Sequence, residues 1–307
     1  MYKPNHIIDL IADNVRKTKN PLGISTSKIN TWWKDIPIKR DGDAMLFTGL
    51  MYQLIPYIDK MTQYLEKYEE TSYEKYIGYA KYIPKFLYRF IFGKPSSKED
   101  KEKFDGIVKN IVQILTKSGV DFYYKPELDF YSGILLYDLG DNDGFIEHAR
   151  FVVEMLRKNG VKKLITVDPH TTYALKVLYP KYLGTDFDVK TYFEVINLKG
   201  EANARVTIHD PCFYGRYLEL SDVPREVLKK LGIECVEVRN SGKLTLCCGG
   251  PAESISPKLS KEIATKRIEE LKSTGYPIVG MCPICIENLR RAGAEVEDLS
   301  TLILKHI

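Results

Sequence analysis

The stretch Ile278-Val279-Gly280-Met281-Cys282-Pro283-Ile284-Cys285 runs a short apolar segment straight into a proline-bearing turn. Ile278 to Met281 reads as a buried strand, and a helix is expected from Ile284 to Ala292. The same alternation extends upstream. Lys258 to Ser273 has helical spacing, Cys235 to Val238 reads as a strand, Val223 to Leu231 as a helix, and Ala204 to Ile208 as a strand. Earlier still come strands at Ala44–Thr48, Phe122–Tyr124 and Leu164–Val167, with helices near Tyr52–Tyr68, Phe104–Lys117, Gly144–Asn159 and Thr171–Tyr179. Pro56 is expected near the first turn of its helix. Regular alternation of this kind predicts an α/β layered fold with mainly parallel strands.

The two halves repeat one another. The later half reads Leu246-Cys247-Cys248-Gly249, a helix, Lys272-Ser273-Thr274-Gly275, a strand, then Cys282-Pro283-Ile284-Cys285. The earlier half reads Phe130-Tyr131-Ser132-Gly133, a helix, Arg157-Lys158-Asn159-Gly160, a strand, then Asp168-Pro169-His170-Thr171. Ile208-His209-Asp210-Pro211-Cys212 likewise corresponds to Phe47-Thr48-Gly49-Leu50. Five cysteines in the second half thus face Leu50, Tyr131, Ser132, Asp168 and Thr171 in the first. The organisation expected is an N-terminal arm at 1–43, a degenerate repeat at 44–198 with a helical insertion at about 69–103, and a second repeat at 199–307. Ser96 to Lys103 reads as a charged connector.

Composition narrows the chemistry. The chain has 307 residues, 44% hydrophobic and 28% charged, enough for a large core and too apolar for extensive disorder. Its net charge of +4 is mild, and no basic block interleaved with aromatics points to nucleic acid. No apolar run reaches the length of a membrane span, and Met1 to Ala12 lacks a signal-peptide layout. A cytoplasmic location is expected, where thiols stay reduced and clustered cysteines read as metal or redox sites.

Between Cys212 and Cys247 lie 34 residues, and between Cys248 and Cys282 lie 33. Cys282 and Cys285 form a C-x-x-C pair that can grip one metal or two neighbouring irons. Adjacent side chains such as Cys247 and Cys248 point apart on extended backbone, so both reach one site only if the chain kinks or the site holds several metals. Gly249 and Gly250 give the backbone freedom to approach an inorganic cluster. Helices are expected to begin just after both cysteine turns, where their N–H groups stabilise thiolates. Five thiolates are one too many for tetrahedral zinc or a simple cubane, although zinc held by four of them is an open alternative. Cys235 reads as a small core residue.

These motifs, His209-Asp210-Pro211-Cys212 with Gly215-Arg216, Cys247-Cys248-Gly249-Gly250-Pro251 and Cys282-Pro283-Ile284-Cys285, resemble the CCG (cysteine-rich) domain family. That family includes the B and D subunits of heterodisulfide reductase. It also includes iron–sulfur subunits of glycolate, lactate, glycerol-3-phosphate and some succinate oxidoreductases. Two such repeats cover about residues 44–307, and Asn20-Pro21-Leu22-Gly23 resembles a linker of some members. The resemblance implies two Rossmann-like repeats and one noncubane [4Fe-4S] cluster on Cys212, Cys247, Cys248, Cys282 and Cys285. The first-repeat departures remove a second cluster, and the 33-residue spacer is slightly shorter than usual for the family. The implied function is a heterodisulfide-reductase-like subunit handling thiol, disulfide or related sulfur substrates. Alternatives are an electron-transfer or membrane-anchoring subunit of a flavin-dependent dehydrogenase, and a zinc-stabilised binding module. The chain lacks a C-x-x-C-x-x-C-x-x-x-C-P run, so a ferredoxin-like partner resembling the C subunit of heterodisulfide reductase is expected, and a flavoprotein subunit is a further partner.

Other residues admit two readings each. His209 fits a hydrogen-bond donor to cluster sulfur, a proton donor to a leaving thiolate, or a turn cap with Asp210. Arg216 fits anion attraction or a surface ion pair. Tyr131, Ser132, Asp168 and His170 fit a substrate or metal pocket, or a degenerate site refilled by hydrogen-bonding side chains. Twelve of the twenty residues from Tyr73 to Phe92 are Tyr, Phe, Ile or Leu, with Lys75, Lys81, Lys85 and Arg89 among them. That stretch suits core, a partner-docking surface or a peripheral contact on the inner face of a membrane.

Overall fold

The computed structural model describes residues 3–71, 79, 82–84, 87 and 93–307. The Tyr73–Phe92 stretch falls largely outside them. Two four-stranded sheets, both entirely parallel, organise the chain. The first holds β1 (Ala44–Phe47), β2 (Phe122–Tyr123), β3 (Lys163–Thr166) and β4 (Asp188–Thr191) in the order β2-β1-β3-β4. The second holds β5 (Ala204–Ile208), β6 (Ile233–Cys235), β7 (Ile278–Gly280) and β8 (Val296–Asp298) in the order β6-β5-β7-β8. The two orders are the same permutation, so the repeat seen in sequence is a repeat of topology: two Rossmann-like units.

Central parallel strands are covered by helices on both faces, so they read as unbroken apolar runs. β1 is buried at all four positions, and β7 at all three. Burying one such Val, Leu, Ile or Phe side chain contributes about 1.5–3 kcal/mol. The edge strands β4 and β8 carry no such run; β4 alternates exposed and buried residues. They went unread in the sequence for that reason. β6 is Ile233–Cys235 rather than Cys235–Val238.

Three helical expectations need correction. Ser96–Lys103 is not a connector: Lys98 begins a helix running to Lys117, with Ser97 as its N-cap accepting from the Asp100 N–H. Pro56 lies inside the helix Met51–Tyr68 rather than at its first turn, and its carbonyl accepts from the Ser96 N–H at 2.7 Å. Only one of the two cysteine turns opens directly into an α-helix. Pro283–Arg291 starts at Cys282, but Gly249 leads into a single 3-10 turn, Gly250–Ala252, and the helix follows at Pro257–Lys272.

The N-terminal segment packs onto the first unit. Its helix Pro4–Thr18 buries Leu10 and Val15, and Leu22, Ile24 and Ile29 continue into the same core as Met45 and Phe47.

Candidate metal centre

The neighbouring strands β5 and β7 end side by side, in register at Ile208 and Val279. Ligand sites in open parallel sheets form beyond the carboxyl ends of the strands. Here β5 leads through His209-Asp210-Pro211 to Cys212, and β7 leads through Met281 to Cys282. The His209 N–H donates to the Val279 carbonyl at 2.8 Å, holding the two exits together.

Asp210 fixes the first loop. It accepts two bonds from Arg225, at 2.8 and 2.9 Å, and one from the Gly242 N–H at 2.7 Å. Thr245 donates to the Asp210 carbonyl at 2.8 Å. These bonds pull the segment before Cys247 against the turn before Cys212. The turn after the cysteine pair is held differently. Gly249 has φ +88, and an added Cβ would lie 2.3 Å from the Ser260 carbonyl oxygen. Only glycine fits there. Ser260 donates to the Gly249 carbonyl, and Asn288, on the Cys282 helix, donates to the Cys248 carbonyl. At Gly250 an added Cβ would sit 3.5 Å from the Cys248 sulfur and 2.4 Å from Ile284.

The five cysteines converge, and none is in a disulfide. Cys248, Cys282 and Cys285 are buried; Cys212 and Cys247 are half-buried. Their proton affinities are linked. Hydrogen bonds from the Cys247 and Cys285 thiols, helped by His209, hold Cys248 well below the ordinary thiol range against the cost of burial. Cys247 and Cys285, as the donors to Cys248, are pushed up, and burial adds to both. Burial opposes ionisation of Cys282, but Cys285 and His170 outweigh it and bring the thiol down to about 5. Burial, then Cys248 and Cys282, push Cys212 up to about 12. Alone, these sulfurs share protons. A multiply charged cation among them would release the remaining protons and make every sulfur a ligand.

A ring nitrogen of His209 and the Cys248 and Cys285 sulfurs lie within 4.8 Å of one another. His209 Nδ1 accepts from Arg267, whereas Nε2, fully buried, has no hydrogen-bond partner among the described residues. An unpaired buried N–H costs about 1–3 kcal/mol. A sulfur-rich group at this point supplies the acceptor. The donor set, the glycine turn and the unpaired nitrogen therefore fit a sulfide-bearing cluster better than an aquated ion.

His170, expected with Tyr131, Ser132 and Asp168, interacts with Asp168 and Asp138 of the first unit and also reaches the second. It interacts with Cys282 and stacks edge-on against Phe213 at 4.7 Å. Burial disfavours its charged form, but Cys282, Asp138 and Asp168 outweigh burial and raise its pKa to about 9.

The first-unit counterparts of the cysteines are refilled. Gly133 keeps the backbone of Gly249, with φ 84 and ψ −2 against 88 and −10. Asp168 takes the N-cap place of Cys282 and accepts from the His170 and Thr171 N–H groups at 2.9 and 3.0 Å. Tyr131 and Leu50 are fully buried, and the Tyr131 hydroxyl accepts from the Leu135 N–H at 2.6 Å. Ser132 Oγ, Thr171 Oγ1 and Asp168 Oδ2 are buried without a partner among the described residues.

Cys235 sits on β6, half-buried in the core that β5 and β6 share, away from the other five. Arg216 is exposed, has no ion pair among the described residues, and lowers the proton affinity of Cys212. Arg267 gave no sequence signal, being one cation on a helix with other exposed cations.

Residues 206–290, which include all five cysteines, match the cysteine-rich domain family (CCG). The chain is 32% identical over 222 residues to the "Probable membrane-anchored ferredoxin" of Chromohalobacter salexigens, covering 64% of this chain and 33% of that protein. It is 30% identical over 217 residues to the "Probable iron-sulfur-binding oxidoreductase FadF" of Bacillus subtilis, covering 66% and 30%. It is 32% identical over 215 residues to the D subunit of the dihydromethanophenazine:CoB--CoM heterodisulfide reductase of Methanosarcina mazei, covering 62% and 53%. The chain thus spans about a third to a half of the length of these relatives. No described helix is long and apolar enough to cross a membrane.

Proposed function

We propose, from the match of residues 206–290 to the cysteine-rich domain family (CCG), that this chain is an iron–sulfur redox subunit in which Cys212, Cys247, Cys248, Cys282 and Cys285 hold one noncubane [4Fe-4S] cluster. Its reaction is the reductive cleavage or formation of a disulfide, or related sulfur chemistry, within a larger complex of several subunits. The observation that carries this reading is the convergence of five electrostatically linked sulfurs at the ends of β5 and β7, with only Cys212 and Cys247 partly open to the outside. When bound, the cluster would accept and return single electrons and engage a substrate sulfur at iron.

The protein's own residues do the rest. Cys248, Cys282 and Cys285 sit at the buried side and exclude water there. Half-exposed Cys212 and Cys247 mark the side a substrate sulfur approaches, next to exposed Arg216, whose charge favours an anionic substrate. His209 and His170 face Cys248 and Cys282 and hold N–H groups toward sulfur. Electrons arrive from a ferredoxin-like subunit, with a flavoprotein beyond it. The chain's similarity to the D subunit of a heterodisulfide reductase supports this reading.

A second reading, an electron-transfer subunit of a flavin-linked dehydrogenase chain, is supported by similarity to the protein named "EtfAB:quinone oxidoreductase" of Syntrophomonas wolfei, 30% identical over 220 residues. Iron, sulfide and zinc content with an EPR spectrum, on anaerobically purified protein, tests the cluster. Four irons and four sulfides per chain are expected; stoichiometric zinc without iron would establish the zinc-stabilised module instead. Turnover of a disulfide with a reduced ferredoxin separates the two redox readings, because a pure electron carrier reduces its partner but cleaves no disulfide.

A further inference from the structure

The second unit buries one arginine completely. Arg267, on the helix Pro257–Lys272, is 0% exposed. Its head group is spent on four acceptors: the Asn240 carbonyl at 2.9 Å, Glu270, Thr245 Oγ1 at 3.4 Å, and His209 Nδ1 at 3.1 Å. The last of these decides the chemistry of the imidazole.

A guanidinium Nε always carries its hydrogen and has no lone pair to offer. The histidine nitrogen facing it must therefore be the acceptor. In a neutral imidazole one nitrogen carries the hydrogen and the other the lone pair. With the lone pair assigned to Nδ1, the hydrogen sits on Nε2. That atom is buried and has no other partner among the described residues, and the Cys248 and Cys285 sulfurs lie beside the ring. Coordination of a metal by Nε2 would need the opposite tautomer, with N–H on Nδ1 pointing into the Arg267 N–H.

We infer that Arg267 is a positioning residue that locks His209 as an Nε2–H donor to cluster sulfur, so that His209 tunes the cluster and is not one of its ligands. This rests on the cluster assignment above and adds to it a fixed direction for one hydrogen bond. The grouping of His209 with Cys248 and Cys285 would otherwise read as three ligands of a mononuclear metal. An N–H donated to thiolate or sulfide withdraws electron density and stabilises the reduced cluster, raising its potential.

Pulsed EPR on anaerobically purified, reduced holoprotein carrying 15N-histidine tests the lock directly. A weak 15N coupling, of the size that passes through an N–H···S contact, is expected. A strong coupling characteristic of iron-bound imidazole would overturn the inference while leaving the cluster intact. Redox titration supplies the second readout. His209→Phe is expected to bring the midpoint potential down, and His209→Gln, which restores an amide N–H, to return it toward the wild-type value. Equal potentials in wild type and His209→Phe, at unchanged iron content, would overturn it too. Arg267→Lys keeps the charge but loses the fixed Nε–H, and its potential should fall toward that of His209→Phe. Should Arg267→Lys fail to fold, the His209 pair decides alone. A wild-type protein without iron and sulfide would overturn both this inference and the assignment beneath it.

Discussion

The imidazole of His170, which belongs to the first unit, faces the sulfur of Cys282, which belongs to the second, and favours its thiolate. Its helix, Pro169–Tyr173, starts from β3, whereas Cys282 ends β7. The degenerate half thus provides part of the wall against which the cysteines of the other half sit. His170→Leu is expected to keep the full iron content, since no proposed ligand is lost. Its EPR spectrum should shift, and disulfide turnover should fall about tenfold, the equivalent of about 1.4 kcal/mol in the barrier. An unchanged spectrum would remove His170 from the site.

Replacing Cys247 or Cys248 with Ser should abolish iron binding. Cys235→Ser should leave iron and sulfide at wild-type levels with a loss of about 1 kcal/mol or less in stability, because Cys235 is only half-buried in a core away from the others. Iron retained in both Cys247 and Cys248 variants, or lost in the Cys235 variant, would redraw the ligand set.

Two glycines with similar φ should respond differently. Gly249 (φ 88) and Gly293 (φ 95) both occupy the left-handed region. At Gly293 an added Cβ meets nothing within 4 Å, so Gly293→Ala should cost only about 1–2 kcal/mol. At Gly249 the Cβ runs into the Ser260 carbonyl, so Gly249→Ala should cost roughly 2–5 kcal/mol and displace the cysteine pair. Chemical denaturation together with iron content reads both effects.

Acid sensitivity should carry a signature from His148. This buried imidazole bonds the Tyr131 carbonyl at 2.6 Å, and burial lowers its pKa to about 4 from 6.5. Between those values the unfolded chain binds the proton and the folded chain does not. Stability from this group is complete above pH 6.5 and declines as pH falls toward 4, by up to about 3 kcal/mol. His148→Gln cannot take up that proton. Urea unfolding at about pH 7 and about pH 4.5 should show the variant losing less stability than the wild type. Asp129 and Asp298, raised to about 6, act in the opposite sense in both proteins.

What the sequence disclosed follows from where each residue lies. β1, β3, β5 and β7 are central, so burial on both faces forces apolar runs that can be read directly. Asp188–Thr191 and Val296–Asp298 are edge strands, where one flank needs no neighbour and the apolar run is missing. The convergence of the five cysteines was legible from spacing, glycine and proline. Arg267 was not, because nothing local distinguishes a buried cation from the exposed lysines around it. The additional approach of His170 to Cys282 was not legible, because a one-dimensional repeat cannot reveal which strand ends face each other. The Ser96–Lys103 segment carried its own signal, Ser97 three residues before Asp100, which charge density masked.

The side chains around the cysteines hang from two different sheets, with His170 on one and Cys282 on the other. Sliding one sheet against the other would therefore change an N–H···S distance without moving any cysteine relative to its fellows. For the proposed cluster that distance would set electron affinity, so the packing of the two sheets acts much as a vernier on an instrument whose fixed scale stays where it is.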